Sequence, residues 1–142
     1  MMLSILQIAA IAAVISSQHA IERKFAGEWA IREMAQSGHA LSPSDFEHGT
    51  ITFRGDTVEV AYEGEVYERF RFRVVLFDKG LGIDLFGVNR LGDDSTNPGT
   101  FLLNGDTLKL CWNEDPTGPR PSIHRKIAEG TGFLSLRRLP KK

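Results

Sequence analysis

Histidines, carboxylates and a thiol are the side chains with which this chain of 142 residues could do acid–base, metal or nucleophilic chemistry, and they are scattered along it. Beyond His19 there are three histidines, His39, His48 and His124, and no His-x-x-x-His or Glu-x-x-His spacing puts two ligands on one helix face. Asp45, Glu47 and His48 are close enough for a loop to gather them around an ion. Isolated polar loop residues are ordinarily hydrated, so they are read that way, and neither a metal nor a cofactor is expected. Cys111 is the single cysteine, which rules out an intramolecular disulfide. It shares strand parity with Lys109, not with Leu108, Leu110 and Trp112, and no Cys-His nucleophilic pair is recognisable, so a covered or partly exposed outer-face thiol with a packing role is expected. The acidic pairs Asp93-Asp94 and Glu114-Asp115 fall in loops, and no glycine-rich turn opens a helix to cradle phosphate. Arg69, Arg71 and Arg73 form a stripe that could meet a polyanion. Alternating arginines on a strand are read here as a solvated face matched by acids on neighbouring strands, so no nucleic-acid partner is expected. Glu68 has the opposite parity, that of Val66, Phe70, Phe72, Val74 and Leu76. It should therefore point inward and reach water at the end of the strand, or anchor a ligand in an apolar cup, unless a bulge intervenes.

The elements that must position these residues are strands. The triplets Gly55-Asp56-Thr57 and Gly105-Asp106-Thr107 each separate two alternating apolar runs, which predicts two tight hairpins, the second signalled by Asn104-Gly105. Strands are expected near 27–34, 50–54, 57–62, 66–76, 83–85, 100–103, 107–112 and 133–139. Residues 21–26 read as a short polar approach, 37–46 as a loop with one helical turn at Pro43, and 92–99 and 113–121 as loops. A short extended piece is expected near Ile123. The repeated triplet is assigned to convergent turn chemistry; a duplication is the alternative. About eight short strands with little helix predict an all-β, up-and-down antiparallel barrel, since closure removes exposed edges.

With 42% hydrophobic and 25% charged residues and a net charge of −1, the chain has ordinary globular composition and no global field for nucleic acid or anionic membranes. Its basic residues are uneven: seven lie from Arg120 onward, against Glu129 alone, and a solvated face offset by Glu22, Glu28 and Glu33 is expected. Residues 1–20 contain no charged side chain and include an apolar stretch from Leu3 to Ile15. That is the length of a signal-peptide core and too short for a membrane span, so residues 1–20 are read as a signal peptide and 21–142 as the barrel, secreted or periplasmic. The alternative is an N-terminal helix docked on the domain.

Gly27-Glu28-Trp29, preceded by Phe25, resembles the Gly-x-Trp opening of lipocalins and related calycin barrels. The run from Gly99 to Trp112, the Gly118-Pro-Arg-Pro121 loop and the ending from Phe133 to Arg138 resemble the lipocalin-like domain of uncharacterised planctomycete exported proteins, over roughly residues 25 to 139. The resemblance implies a calycin-type barrel and export, and transfers no catalytic residues. In calycins a basic residue of the last strand packs on the first-strand tryptophan and closes the barrel. Parity with Leu134 and Leu136 makes Arg138, not Arg137, the expected partner of Trp29.

No acid, base and nucleophile converge in the sequence, so a non-enzymatic module is expected, binding a small apolar molecule or a protein partner. Glu68, Phe70, Phe72 and Trp112 are the candidate ligand-binding residues of interior and rim. The alternative is a solid barrel without a cavity, serving structure or interaction. The inward-facing positions, from Phe53 and Val58 through Phe101 to Trp112, are bulky, so any cavity should be small and lie at the mouth. Oligomeric state is not legible.

Overall fold

The computed structural model describes residues 17–87, 95–123 and 129–141. Within it the strands are β1 (Gly27–Gln36), β2 (His39–Ala40), β3 (Gly49–Arg54), β4 (Thr57–Tyr62), β5 (Glu65–Phe77), β6 (Gly80–Phe86), β7 (Thr96–Asn104), β8 (Thr107–Asn113) and β9 (Thr131–Arg138). All pairings are antiparallel between neighbours, and β1 closes onto β9 through Trp29 opposite Arg138 and Ile31 opposite Leu136. β2 is only a two-residue extension beside the end of β1, so the result is a closed, eight-stranded up-and-down barrel.

Turn chemistry sets the registers. Gly55 and Gly105 have φ of 62° and 59°, and each is followed by an aspartate without positive φ, the pattern of a two-residue turn with glycine first. Asn104 is therefore the last strand residue, paired with Thr107, and not the first turn residue that the Asn-Gly signal implies. Ser37-Gly38 and Glu63-Gly64 have positive φ at both positions, which defines the other favoured hairpin turn. Since the chain runs up and down, turns 55–56, 78–79 and 105–106 lie at one end, here the closed end. Turns 37–38 and 63–64 lie at the other, the mouth.

Two bulges shift the alternation of inward and outward residues. One at Arg32 sends Glu33 outward and brings Met34 inward, opposite Leu134. The other, at Tyr67, sets Val66 opposite outward-facing Ala61, which leaves Val66 44% exposed, while Glu68 stays opposite Val60 on the inner face. Leu76 is also exposed, because β5 and β6 run past the end of β4 there. Three further expectations are corrected. Residues 17–25 are helical, Thr96 to Gly99 belong to β7 and not to a loop, and Ile123 lies in a turn. Of the expected signal peptide, residues 1–16 lie outside the described residues, as do Asp93, Asp94 and His124. The turn at Pro43 is present as a 3-10 helix, Pro43–Asp45.

One apolar cluster fills the barrel. Phe25, fully buried, is packed by Phe53, Phe72 and Phe101 with ring centroids 5.1 to 5.5 Å apart, and Trp29 meets Phe53 edge-on. Nearer the mouth Trp112 lies against Gly132, its cross-strand partner. A methyl group there would overlap the indole, so the glycine is what admits the large ring. A smaller cluster of Ala35, Cys111 and Phe133 sits on the outer wall, covered by Ile123.

Candidate functional site

The closed end is built around Arg138. Its guanidinium carbon lies 4.2 Å from the centroid of the Trp29 ring, and its two terminal nitrogens donate to the carbonyls of Ala26 and Lys24 at 2.7 Å each. Trp29 in turn donates from Nε1 to the Phe25 carbonyl at 2.9 Å. The arginine thus stacks on the indole and caps carbonyls at the end of helix 17–25, where a cation is favoured. Asp106 stands 3.5 Å from Arg138 Nε. Arg137, the adjacent residue, is exposed.

At the mouth there is a cup of about 360 Å³. Its apolar wall comes from Ile31 and Met34 on β1, Leu41 and Phe46 from the segment that folds over the mouth, and Val60 on β4. The polar positions are Tyr62, Tyr67, Glu68, Asp45 and Gln36, and no lysine or arginine is among its described lining residues. The covering segment is held by Asp45, whose carboxylate accepts from the Ser42 amide at 3.1 Å and hydroxyl at 2.9 Å. Gly49 passes so close to Ile31 and the Phe46 carbonyl that a side chain there would press on both.

Of the four residues expected to contact a ligand, Glu68 alone lines this cup. Phe70 and Phe72 are core residues, Phe72 within the aromatic cluster of the closed end, and Trp112 fills the interior beside Gly132. Met34, Leu41 and Phe46 were not expected at a site. The bulge that turns Met34 inward and the loop that folds Leu41 and Phe46 over the mouth leave no periodic signal in the sequence.

The charged stripe is largely accounted for by neighbours. Arg69 meets Glu59 at 3.6 Å, and Arg71 binds Asp56 through both Nε and Nη2, the latter at 2.7 Å, which holds the Asp56 carboxyl below the usual aspartate range. Arg120 lies across the outer wall, 2.9 Å from Asp84, donating to the carbonyls of Ile83 and Gly99 and facing the Phe77 ring. Bare backbone at Gly82 is what lets it lie so close. Burial pushes the Cys111 thiol up, partly offset by a hydrogen bond with Thr131. Among the described residues no group of three His, Cys, Asp or Glu is placed to hold a metal, and no helix is long and apolar enough to cross a membrane.

A closed up-and-down barrel with a plugged end and a shallow cup is the class that this fold and site define. No protein-family model, curated protein or solved structure matches the chain.

Proposed function

We propose that this chain is an exported, lipocalin-like binding module, related to the calycin-type planctomycete domains, that takes a small apolar molecule at its mouth. The observation that carries this reading is the 360 Å³ cup, at the lower end of the range for small-molecule sites, above an interior already filled by aromatic rings. Burying about 200 Å² of apolar ligand surface there would supply about 5 kcal/mol, whereas micromolar affinity needs about 8 kcal/mol. The difference falls to the polar rim, Glu68 with Tyr62 and Tyr67. With two carboxylates and no lysine or arginine among its described lining residues, the cup favours a ligand that is neutral or carries an amine, and disfavours a carboxylate.

The test is titration with the neutral fluorophore N-phenyl-1-naphthylamine. Binding in the micromolar range that Val60→Phe abolishes, with the denaturation midpoint unchanged, supports the cup. Failure to bind this probe and a panel of apolar amines leaves the solid scaffold, whose role would lie in its outer loops. Export is supported by the apolar stretch at 3–15 and by small residues at 16, 17 and 20. N-terminal sequencing of exported protein should find a start after residue 16, 17 or 20; an intact Met1 overturns it.

A further inference from the structure

We propose that the closed end carries a second site, for a small organic anion with a flat apolar group, a carboxylate or phosphate monoester seated between Arg23 and Arg73. A cleft of about 550 Å³ lies where helix 17–25 crosses the edge of β5 that β4 leaves uncovered. Four basic side chains line it, His19 and Arg23 from the helix and Arg71 and Arg73 from β5, against two acids, Glu22 and Asp56.

Both acids are already engaged. Glu22 accepts the Val74 amide at 2.9 Å, which caps the open strand edge, and Asp56 accepts at Oδ2 from both Nε and Nη2 of Arg71. The acid directly across the ladder from Arg73 is Asp84, and Asp84 is paired with Arg120 at 2.9 Å. Arg73 is consequently the member of the arginine stripe with no carboxylate partner among the described residues; its guanidinium stands 6.0 Å from the Phe86 ring centroid. Arg23 likewise forms no ion pair among them. Two arginines without counterions among the described residues line this cleft, one from the helix and one from β5, with Phe86 also in its wall, and together they match an anionic head on an apolar plate. Arg23, Arg71 and Arg73 all follow residue 20, so each expected cut leaves them in place.

Calorimetric titration of the full chain with phenyl phosphate, inorganic phosphate and phenol distinguishes the sources of affinity. Phenyl phosphate should bind with one molecule per chain and about tenfold more tightly than either fragment. Arg73→Gln should weaken it about tenfold and Arg23→Gln similarly, while Arg69→Gln, which removes a charge already paired with Glu59, leaves it unchanged. Glu22→Gln keeps an acceptor for the Val74 amide and should tighten binding. Val60→Phe, which fills the mouth cup, should have no effect, so this site and the cup stand or fall separately. Equal losses from Arg69→Gln and Arg73→Gln, inorganic phosphate binding as well as phenyl phosphate, or no binding at all overturns the proposal.

Discussion

Removing the Arg138 guanidinium takes two short hydrogen bonds and a stacked cation from the closed end at once, and it strands the carbonyls of Lys24 and Ala26. Hydrogen bonds from a charged donor and a cation on an indole together stabilise by about 2 to 3 kcal/mol, so Arg138→Ala should lower stability by that amount. Arg137→Ala, at an exposed neighbour, should change it by less than about 0.5 kcal/mol. Equal losses in denaturant melts would contradict the assignment. Cys111 gives a second prediction. Its thiol pKa is raised by burial above that of the unfolded chain, so its contribution is fully present below the ordinary thiol range and is lost as pH rises through the folded value. Stability should therefore begin to fall above about pH 8.5, and Cys111→Ala should remove that slope. Thiol reagents should modify Cys111 only as the barrel unfolds, since its side chain lies under Ile123.

At the scale of the element, the turns and the tight crossings carry the predictions. Glu63 is a non-glycine residue at φ 52° in a turn that asks for positive φ at both positions. Asn occupies that conformation more readily, so Glu63→Asn should stabilise by about 0.5 to 1 kcal/mol, seen as a higher denaturation midpoint. Gly132→Ala should act the other way, costing about 1 to 3 kcal/mol, because a methyl group would displace the Trp112 indole from a packed interior. These elements also mark what the sequence does and does not disclose. The eight long strands were legible because alternation is a local signal, and parity along β9 was enough to put Arg138 on the face of Leu134 and Leu136. The bulges at Arg32 and Tyr67 were not, since an extra residue shifts phase without changing composition. Glu68 could be placed on the inner face, yet the cup around it depends on a loop whose packing is decided by tertiary contact. Helix 17–25 was missed although Ile21 and Phe25, four residues apart, form its core-facing side; two apolar residues in so short a span are a weak periodic signal.

That helix decides how the whole molecule holds together. Phe25 is at the centre of the aromatic plug, Glu22 satisfies an amide on the open edge of β5, and the carbonyls of Lys24 and Ala26 are what Arg138 grips. Residues before 21 make no comparable contribution among the described contacts: Gln18 and His19 border the closed-end cleft. A chain beginning at Ile21 should accordingly keep a cooperative unfolding transition, losing at most about 1 kcal/mol relative to the longer chain. A chain beginning at Gly27 should not. Loss of a fully buried phenylalanine alone costs about 3 to 5 kcal/mol, and the stranded Arg138 and the uncapped strand edge add about 2 to 3 more. Against a stability of about 5 to 15 kcal/mol for a domain, that leaves little or none. Thermal melts of the two truncations, followed by near-ultraviolet circular dichroism of the buried tryptophans, check the contrast. A cooperative transition in the Gly27 chain would show that the eight strands close without their plug, and equal collapse of both would move the stabilising contacts to residues before Ile21.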